Sequence, residues 1–194
     1  MTYKNILLRP MRESDLADEE RWITTEVEWM DWDAPWEASD PICVQMEHNR
    51  KYVEKISANP PDVYSVMELD TAEGRHIGGV NRYFIDNDKN LIAVGISIPP
   101  LDARGRGYGK NALVLWIAYH FAKSYVQKIY AQTWSGNLPM IGLAQSIGFE
   151  EIGRIKGIRE VRGGVYDALT FSITREEFFR RYVDVAAAVD DCSH

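Results

Sequence analysis

The spacing of hydrophobic and polar residues predicts one strand and then two helices in the first quarter of the chain. Residues 5–11, NILLRPM, alternate as a half-buried strand does. Ser14 or Asp15 is a favourable N-cap for the helix that follows. A second helix should begin near Pro41, with Asp40 as its cap, and should end at the sequence NPPD.

Three runs rich in β-branched and aromatic residues come next, separated by the turn sequences DTAEGR and DNDK. The runs are residues 63–69, 76–85 and 90–98. Runs of this length joined by short turns predict an antiparallel meander of three strands.

Beyond residue 100 the hydrophobic period changes again. Leu113, Ile117 and Phe121 share one stripe, which predicts an amphipathic helix. The elements predicted here are a helix over 110–125, a strand over 128–134, a short helix over 138–147 closed by Gly148, a hairpin over 151–173 turning at Gly163–Gly164, and a last helix over 175–189 capped by Thr174 and Glu177. The order of elements indicates an α+β domain built on a mixed sheet.

Composition narrows the function classes. The chain has 194 residues, 45% of them hydrophobic, and a net charge of −7. We expect a single domain over 1–194, with a disordered tail from about residue 186. The acidic balance argues against a nucleic-acid binder, and no apolar run is long enough for a membrane span. Two cysteines without metal or redox spacing are typical of a reducing, cytoplasmic setting.

The charge is unevenly distributed along the chain. Residues 13–40 hold eleven acidic residues and one basic residue, whereas residues 101–110 hold three basic residues and one acidic residue. The first segment therefore suits a cation and the second an anion.

The basic segment, LDARGRGYGKNAL at 101–113, lies at a predicted strand-to-helix junction. Gly105, Gly107 and Gly109 alternate there with basic residues. A helix N-terminus presents unpaired N–H groups and the positive end of the helix dipole, and glycines let a ligand approach that backbone. The segment therefore predicts a phosphate or pyrophosphate site.

Two common nucleotide loops do not fit this sequence. A Walker loop requires glycine where Arg104 stands and Ser or Thr where Asn111 stands. A Rossmann fingerprint counted from Gly105 ends on Lys110 instead of glycine. The pattern that remains is Arg-x-x-Gly-x-Gly, which in isolation is also compatible with a tight solvated loop.

Arg104, Gly107 and Gly109 resemble the acetyl-CoA loop of the GNAT superfamily of N-acetyltransferases. In that family an Asn after the fifth strand is followed, twelve residues on, by the Phe of a Gly-Phe pair, as Asn137 and Phe149 are here. The opening sequence LRPMRESDL is similar to that of the ribosomal-protein N-terminal acetyltransferase branch. The resemblance spans about residues 6–182 and implies a mixed, mostly antiparallel sheet, flanked by helices and splayed between its fourth and fifth strands.

The resemblance also implies acetyl-CoA as co-substrate and a direct attack by a primary amine in a ternary complex. The pyrophosphate would lie on the loop, the pantetheine arm along the fourth strand, and the Ile98 N–H would stabilise the oxyanion. The residues implied to contact the cofactor are Ile96, Ser97, Ile98, Arg104, Gly105, Arg106, Gly107, Tyr108, Gly109, Lys110 and Asn137.

The chain departs from the family at the usual acids. Relatives carry a tyrosine seven residues after the Asn, or a serine three residues after it, where this chain has Ala144 and Met140. Ser135 and Tyr166 are the nearest polar candidates, although a loop hydroxyl and a packed strand residue are the simpler interpretations. The general base is not identified. His48 and His76 should lie on the surface, and no histidine has metal-ligand spacing, so we expect no metal.

The acidic segment EVEWMDWDAPWE is the candidate acceptor site. It resembles the acidic, proline-containing acceptor segment of spermidine and spermine acetyltransferases, and aromatic faces attract ammonium groups. The candidate residues are Glu28, Asp31, Trp32, Asp33 and Glu37. The alternative is a solvated acidic face with packed tryptophans, Trp22 being the one most expected in the core.

These features predict an N-acetyltransferase for a small cationic amine or a peptide N-terminus. They are also compatible with a homodimer. The alternative is a non-catalytic domain of the same fold that binds CoA or a partner. The absent tyrosine is the feature that favours this alternative.

Overall fold

The computed structural model describes residues 1–190, and within them eight strands and six α-helices surround one main core. The strands are β1 Thr2–Tyr3, β2 Ile6–Arg9, β3 Val66–Thr71, β4 His76–Phe84, β5 Ile92–Ser97, β6 Lys128–Trp134, β7 Glu150–Val161 and β8 Gly164–Thr174. The helices are α1 Leu16–Thr24, α2 Ile42–Ala58, α3 Tyr108–Lys123, α4 Leu138–Ile147, α5 Arg175–Arg181 and α6 Ala186–Asp190.

The strands form one sheet in the order β1-β2-β3-β4-β5-β6-β8-β7. Every neighbouring pair is antiparallel except β5 and β6, which are parallel. These two strands pair only at Ile92 with Ile129 and at Ala93 with Tyr130, and then separate. The fourth and fifth strands of the sequence analysis are β5 and β6, because the short β1 was not predicted. The predicted mixed sheet and its splay are therefore confirmed.

Helix α3 differs from its prediction because it is buried on all sides. Residues 112–121 are all buried, so the helix is not amphipathic. One of its faces contacts the sheet at β2 and β5, and other faces contact α4 and α6. A helix enclosed in this way has apolar residues on all its faces, so the stripe of Leu113, Ile117 and Phe121 does not mark its only buried face.

The C-terminal segment forms two helices where the sequence predicts one. Helix α5 ends at Arg181, and α6 begins at Ala186. The break between them places Val185 in the core beside Val189. Residues 186–190 are helical, as the predicted last helix through residue 189 requires, and residues 191–194, the rest of the expected disordered tail, lie outside the described part of the chain.

The N-terminal caps also differ in detail from the prediction. Pro41, not Asp40, occupies the N-cap position of α2, and Asp40 contributes only its carbonyl oxygen, to the side-chain amide of Gln45. Asp15 is the N-cap of α1 as predicted. Its carboxylate, however, bonds to a side chain of the sheet.

That side chain is Arg9, which is 6% exposed and lies between two buried carboxylates. Its guanidinium donates to Asp15 at 2.6 and 2.9 Å and to Asp70 at 2.5 and 2.8 Å. Burial alone would raise the pKa of Asp15, but the bonds from Arg9 and from the Arg12 N–H outweigh it and lower that pKa. The network ties α1 to β2 and β3.

Among residues 1–190, no helix combines the length and the apolar character that crossing a bilayer requires.

Candidate active site

The separation of β5 from β6 opens a cleft of about 1120 Å³. The loop before α3 and the start of α4 line one side, and residues 29–37 together with β7 and β8 line the other. Beyond Ala93, the edge of β5 that faces β6 has no strand partner. The cleft therefore offers a free strand edge to an extended ligand.

The glycine loop lines the cleft. Gly107 is the N-cap of α3, in the left-handed region at φ 84°, and a Cβ added there would meet no atom within 4 Å. In the described part of the chain, the backbone N–H groups of residues 105–110 donate to no protein acceptor. Lys110 also lines the cleft and forms no ion pair among residues 1–190. This row of donors at a helix N-terminus fits a pyrophosphate.

Most of the residues expected to contact a cofactor line the cleft. They are Ile96, Ser97, Ile98, Arg104, Gly105, Gly107, Tyr108, Gly109, Lys110 and Asn137. Arg106 does not line it and is exposed.

The Arg104 guanidinium bonds within the protein instead of facing the cleft as a free phosphate fork. It donates to the carbonyl oxygens of Ile98 at 2.7 Å and Pro99 at 2.9 Å, and it forms an ion pair with Glu28. Arg104 therefore braces the loop and joins it to the acidic segment.

Asn137 has a similar bracing role. It caps α4 by accepting from the Met140 N–H at 3.0 Å, and it donates to the Trp32 carbonyl oxygen at 2.9 Å. Met140 lines the cleft, whereas Ala144 is 1% exposed in the core. Helix α4 therefore directs no hydroxyl from these two positions toward the cleft.

The acidic segment divides into paired and unpaired carboxylates. Glu28 pairs with Arg104 and Asp31 with Arg162, so these two carboxylates have basic partners from outside the acidic segment. A hydrogen bond from the Trp32 indole, followed by the contact with Arg104, lowers the pKa of Glu28. Arg104 and Arg162 are distant in sequence from the carboxylates with which they pair, so the sequence pattern did not reveal these ion pairs.

Asp33 and Glu37 line the cleft, and among residues 1–190 neither forms an ion pair. Desolvation and the nearby Glu37 raise the pKa of Asp33. Trp29, Trp32 and Trp36 line the same wall, while Trp22 is buried as predicted. This wall is suited to a cation.

Neither of the weak acid candidates lines the cleft. The Ser135 hydroxyl accepts from the Asp167 N–H at 3.0 Å and so ties β6 to β8. Tyr166 packs edge-on against Trp134, with ring centroids 4.8 Å apart. Their placement agrees with the simpler interpretations, a loop hydroxyl and a packed strand residue.

The profile of the Acetyltransferase (GNAT) domain family matches residues 5–150, three quarters of the chain. The chain belongs to the GNAT acetyltransferase family. A curated GNAT relative, the SPbeta prophage-derived uncharacterized N-acetyltransferase YokL of Bacillus subtilis, is 33% identical over 75 residues, 39% of this chain and 42% of that protein. The chain spans less than half the length of such curated relatives.

Solved GNAT structures share the fold. The spermidine N-acetyltransferase from Vibrio cholerae, in complex with CoA and spermine, has a TM-score of 0.70 at 18% identity over 90% of this chain and 98% of that chain. RimJ from Mycobacterium smegmatis, in complex with CoA-disulfide, has a TM-score of 0.70 at 20% identity over 94% and 89%. At these identities the likeness is one of fold.

The GNAT sheet of this chain carries a second feature that the sequence analysis missed, a cluster of titratable side chains beneath α1. The His76 side chain is only 6% exposed, so its predicted surface position is wrong. Its ring nitrogens lie 3.0 Å from Glu68 and 3.0 Å from Asp18. Burial lowers the pKa of His76, but the bond to Glu68 and the neighbouring carboxylates outweigh it, so that pKa is raised.

Ligand atoms of Glu19, Glu68 and His76 lie within 4.8 Å of one another, the spacing of a metal site. Both ring nitrogens of His76 already lie at hydrogen-bonding distance from a carboxylate oxygen, Nε2 from Glu68 and Nδ1 from Asp18. The cluster is therefore a hydrogen-bonded network. A sequence signal existed, because Glu68 and Asp70 are charged residues inside an otherwise apolar strand.

Proposed function

We propose that this chain is an acetyl-CoA-dependent N-acetyltransferase whose acceptor is a primary amine, on a small cationic molecule or a peptide N-terminus, and that residues 1–194 form its single domain. The observation that carries the proposal is the row of unpaired amides at residues 105–110, which opens into the cleft. Membership of the GNAT family and the CoA held by the two structural neighbours support it.

The residues present fit the cofactor. The amides of 105–110 and Lys110 would hold the pyrophosphate, and the free edge of β5 would bond the pantetheine arm. In the described residues the Ile98 N–H has no protein acceptor, so it is free to stabilise an oxyanion. Acetyl-CoA supplies the acetyl thioester, and the acceptor amine must lose a proton before it attacks.

Asp33 and Glu37 are the residues proposed to bind a cationic acceptor. They are unpaired and exposed in the cleft, beside three tryptophans. The neighbour that holds spermine and a further structural neighbour, the ribosomal L7/L12 alpha-N-protein acetyltransferase RimL, represent two acceptor classes, a polyamine and a protein N-terminus. Both acceptors present an ammonium group.

The double substitution Asp33→Asn with Glu37→Gln should raise the acceptor KM severalfold and leave acetyl-CoA binding unchanged. Opposite charges a few ångströms apart near a surface contribute about 1–4 kcal/mol, so the loss of two carboxylates should be measurable. Added salt should weaken acceptor binding more in the parent than in the variant. Steady-state kinetics at two ionic strengths measure both effects.

The matched control is Glu20→Gln with Asp40→Asn, which removes the same charge from exposed residues that do not line the cleft. Equal kinetics in the two double variants, or a preference for a neutral acceptor, would show that Asp33 and Glu37 do not bind substrate.

The activity itself is tested by measuring CoA release from acetyl-CoA with polyamines, aminoglycosides and N-terminal peptides. Turnover with any of these amines supports the proposal. Thermal stabilisation by acetyl-CoA without turnover would instead support a non-catalytic CoA-binding domain, which the absence of a tyrosine at position 144 favours.

A further inference from the structure

A second, smaller cavity of about 260 Å³ lies between α1, α2 and the end of β5. Trp29 and Ser97 line both this cavity and the cleft. The two spaces therefore share a border at the end of the strand along which the pantetheine arm is proposed to lie.

Glu19, on α1, is the carboxylate that lines the smaller cavity. Its oxygen Oε2 accepts a long hydrogen bond of 3.5 Å from the Asn49 side chain of α2. In residues 1–190 it has no ion pair, because Arg9 bonds Asp15 and Asp70, and Arg21 bonds Asp18 and Glu26. Glu19 therefore has no lysine or arginine partner among the described residues, and the basic side chain near it is His76, with a ring nitrogen within 4.8 Å of a Glu19 oxygen.

The surroundings of Glu19 set its proton affinity. Desolvation, and then the charge of Glu68, raise the pKa of Glu19 to about 7, and Asp15 and Asp18 act in the same direction. His76 opposes them. Asn49, Gln45 and His48 of α2 face the cavity from the other side. A base with a pKa near the working pH is the most effective proton acceptor.

The cavity is built to hold water. Trp22 lines it, and the Trp22 indole N–H is buried and has no hydrogen-bond partner in the described part of the chain. Buried polar groups normally find a partner, and a water needs two to four of them. Gln45, Asn49, Ser97 and Glu19 supply the rest, and 260 Å³ is room for several waters.

We propose that the smaller cavity is where the acceptor ammonium loses its proton, with Glu19 accepting it through water held between Glu19 and Ser97. One proton passes from the ammonium through water to a Glu19 oxygen, and the electron pair left on nitrogen forms the new C–N bond as the C–S bond breaks. The nitrogen then loses its second proton through water to the departing CoA thiolate, which leaves as the thiol. This inference rests on the proposed function. It assigns a proton acceptor. The usual tyrosine and serine positions, occupied here by Ala144 and Met140, concern the proton donor and do not identify this acceptor.

The test is Glu19→Gln, which keeps the shape of the protonated side chain and removes the base. We expect kcat/KM to fall about 100-fold. The parent's rate should rise with pH through about 7, and the variant should lose that rise. Acetyl-CoA affinity, measured by titration calorimetry, should not change. Glu19→Asp should restore part of the rate.

Glu20→Gln is the matched control, because Glu20 is exposed on the same helix and lines neither cavity. It should keep the parent's rate and pH profile. A carbon-13 NMR titration of the side-chain carboxyls, assigned with Glu19→Gln, gives a readout that needs no turnover. The Glu19 signal should titrate near pH 7.

The outcomes separate the two proposals. An active parent whose pH profile is unchanged in Glu19→Gln would overturn the role of Glu19 alone, as would a Glu19 signal that titrates near pH 4.5. A parent that binds acetyl-CoA but acetylates none of the amines would overturn the proposed function and this inference with it.

Discussion

A Gly107→Val variant should bind acetyl-CoA at least tenfold more weakly than the parent, a loss of about 1.4 kcal/mol. Gly107 is in the left-handed region, and the space beyond its Cα is open to the cleft. A branched side chain would project where the pyrophosphate is proposed to lie, and it would strain the N-cap of α3. Isothermal titration of acetyl-CoA into the two proteins measures the difference.

Gly74→Val separates occlusion of the site from backbone strain. Gly74 has φ 86°, has open space around it as Gly107 does, and lines neither cavity. This control should lose stability but keep the parent's affinity. Unchanged acetyl-CoA affinity in a folded Gly107→Val protein would show that the loop does not bind the cofactor.

Arg9→Met should destabilise the protein by about 3–5 kcal/mol at pH 7, because it leaves Asp15 and Asp70 buried without a cation. In the parent, the pKa of Asp15 is lower in the folded state than in the unfolded state. The contribution of Asp15 to the free energy of unfolding is therefore fully present above the unfolded pKa and is lost as the pH falls through the folded pKa. In the variant the stranded carboxylates take up protons more readily. The deficit should therefore be smaller at pH 4 than at pH 7.

Urea denaturation followed by circular dichroism at both pH values measures these free energies of unfolding. Arg50→Met is the control, because the ion pair of Arg50 with Glu47 is exposed and should contribute less than about 1 kcal/mol. A deficit in Arg9→Met no larger than in this control would mean that the buried network does not stabilise the fold.

The order and type of most elements could be predicted from the sequence because they depend on local patterns. The strand at Lys128–Trp134 and the helix at Leu138–Ile147 have the predicted bounds, since each is bracketed by turn residues and Gly148 ends the helix in the left-handed region. The environment of α3 was not predictable, because its outer face is covered by a C-terminal segment some 60 residues away.

The cofactor side of the candidate site was more predictable than the acceptor side. The glycine loop is a contiguous sequence, so its geometry follows from its glycines and from the helix that it starts. The charges of the acidic segment depend on partners from distant strands and loops, as Arg162 shows for Asp31. Glu19 became a candidate only when folding enclosed it against Glu68 and His76.

The Arg104 guanidinium connects the glycine loop to the acidic segment. It holds the carbonyl oxygens of Ile98 and Pro99 on the cofactor side and Glu28 on the acceptor side. Coupling between two sites is reciprocal, so order imposed on either side is transmitted to the other. If the proposed function holds, a substitution at Glu28 should change the affinity for both ligands, whereas substitutions at Asp33 and Glu37, which form no ion pair among residues 1–190, should change the affinity for the acceptor alone.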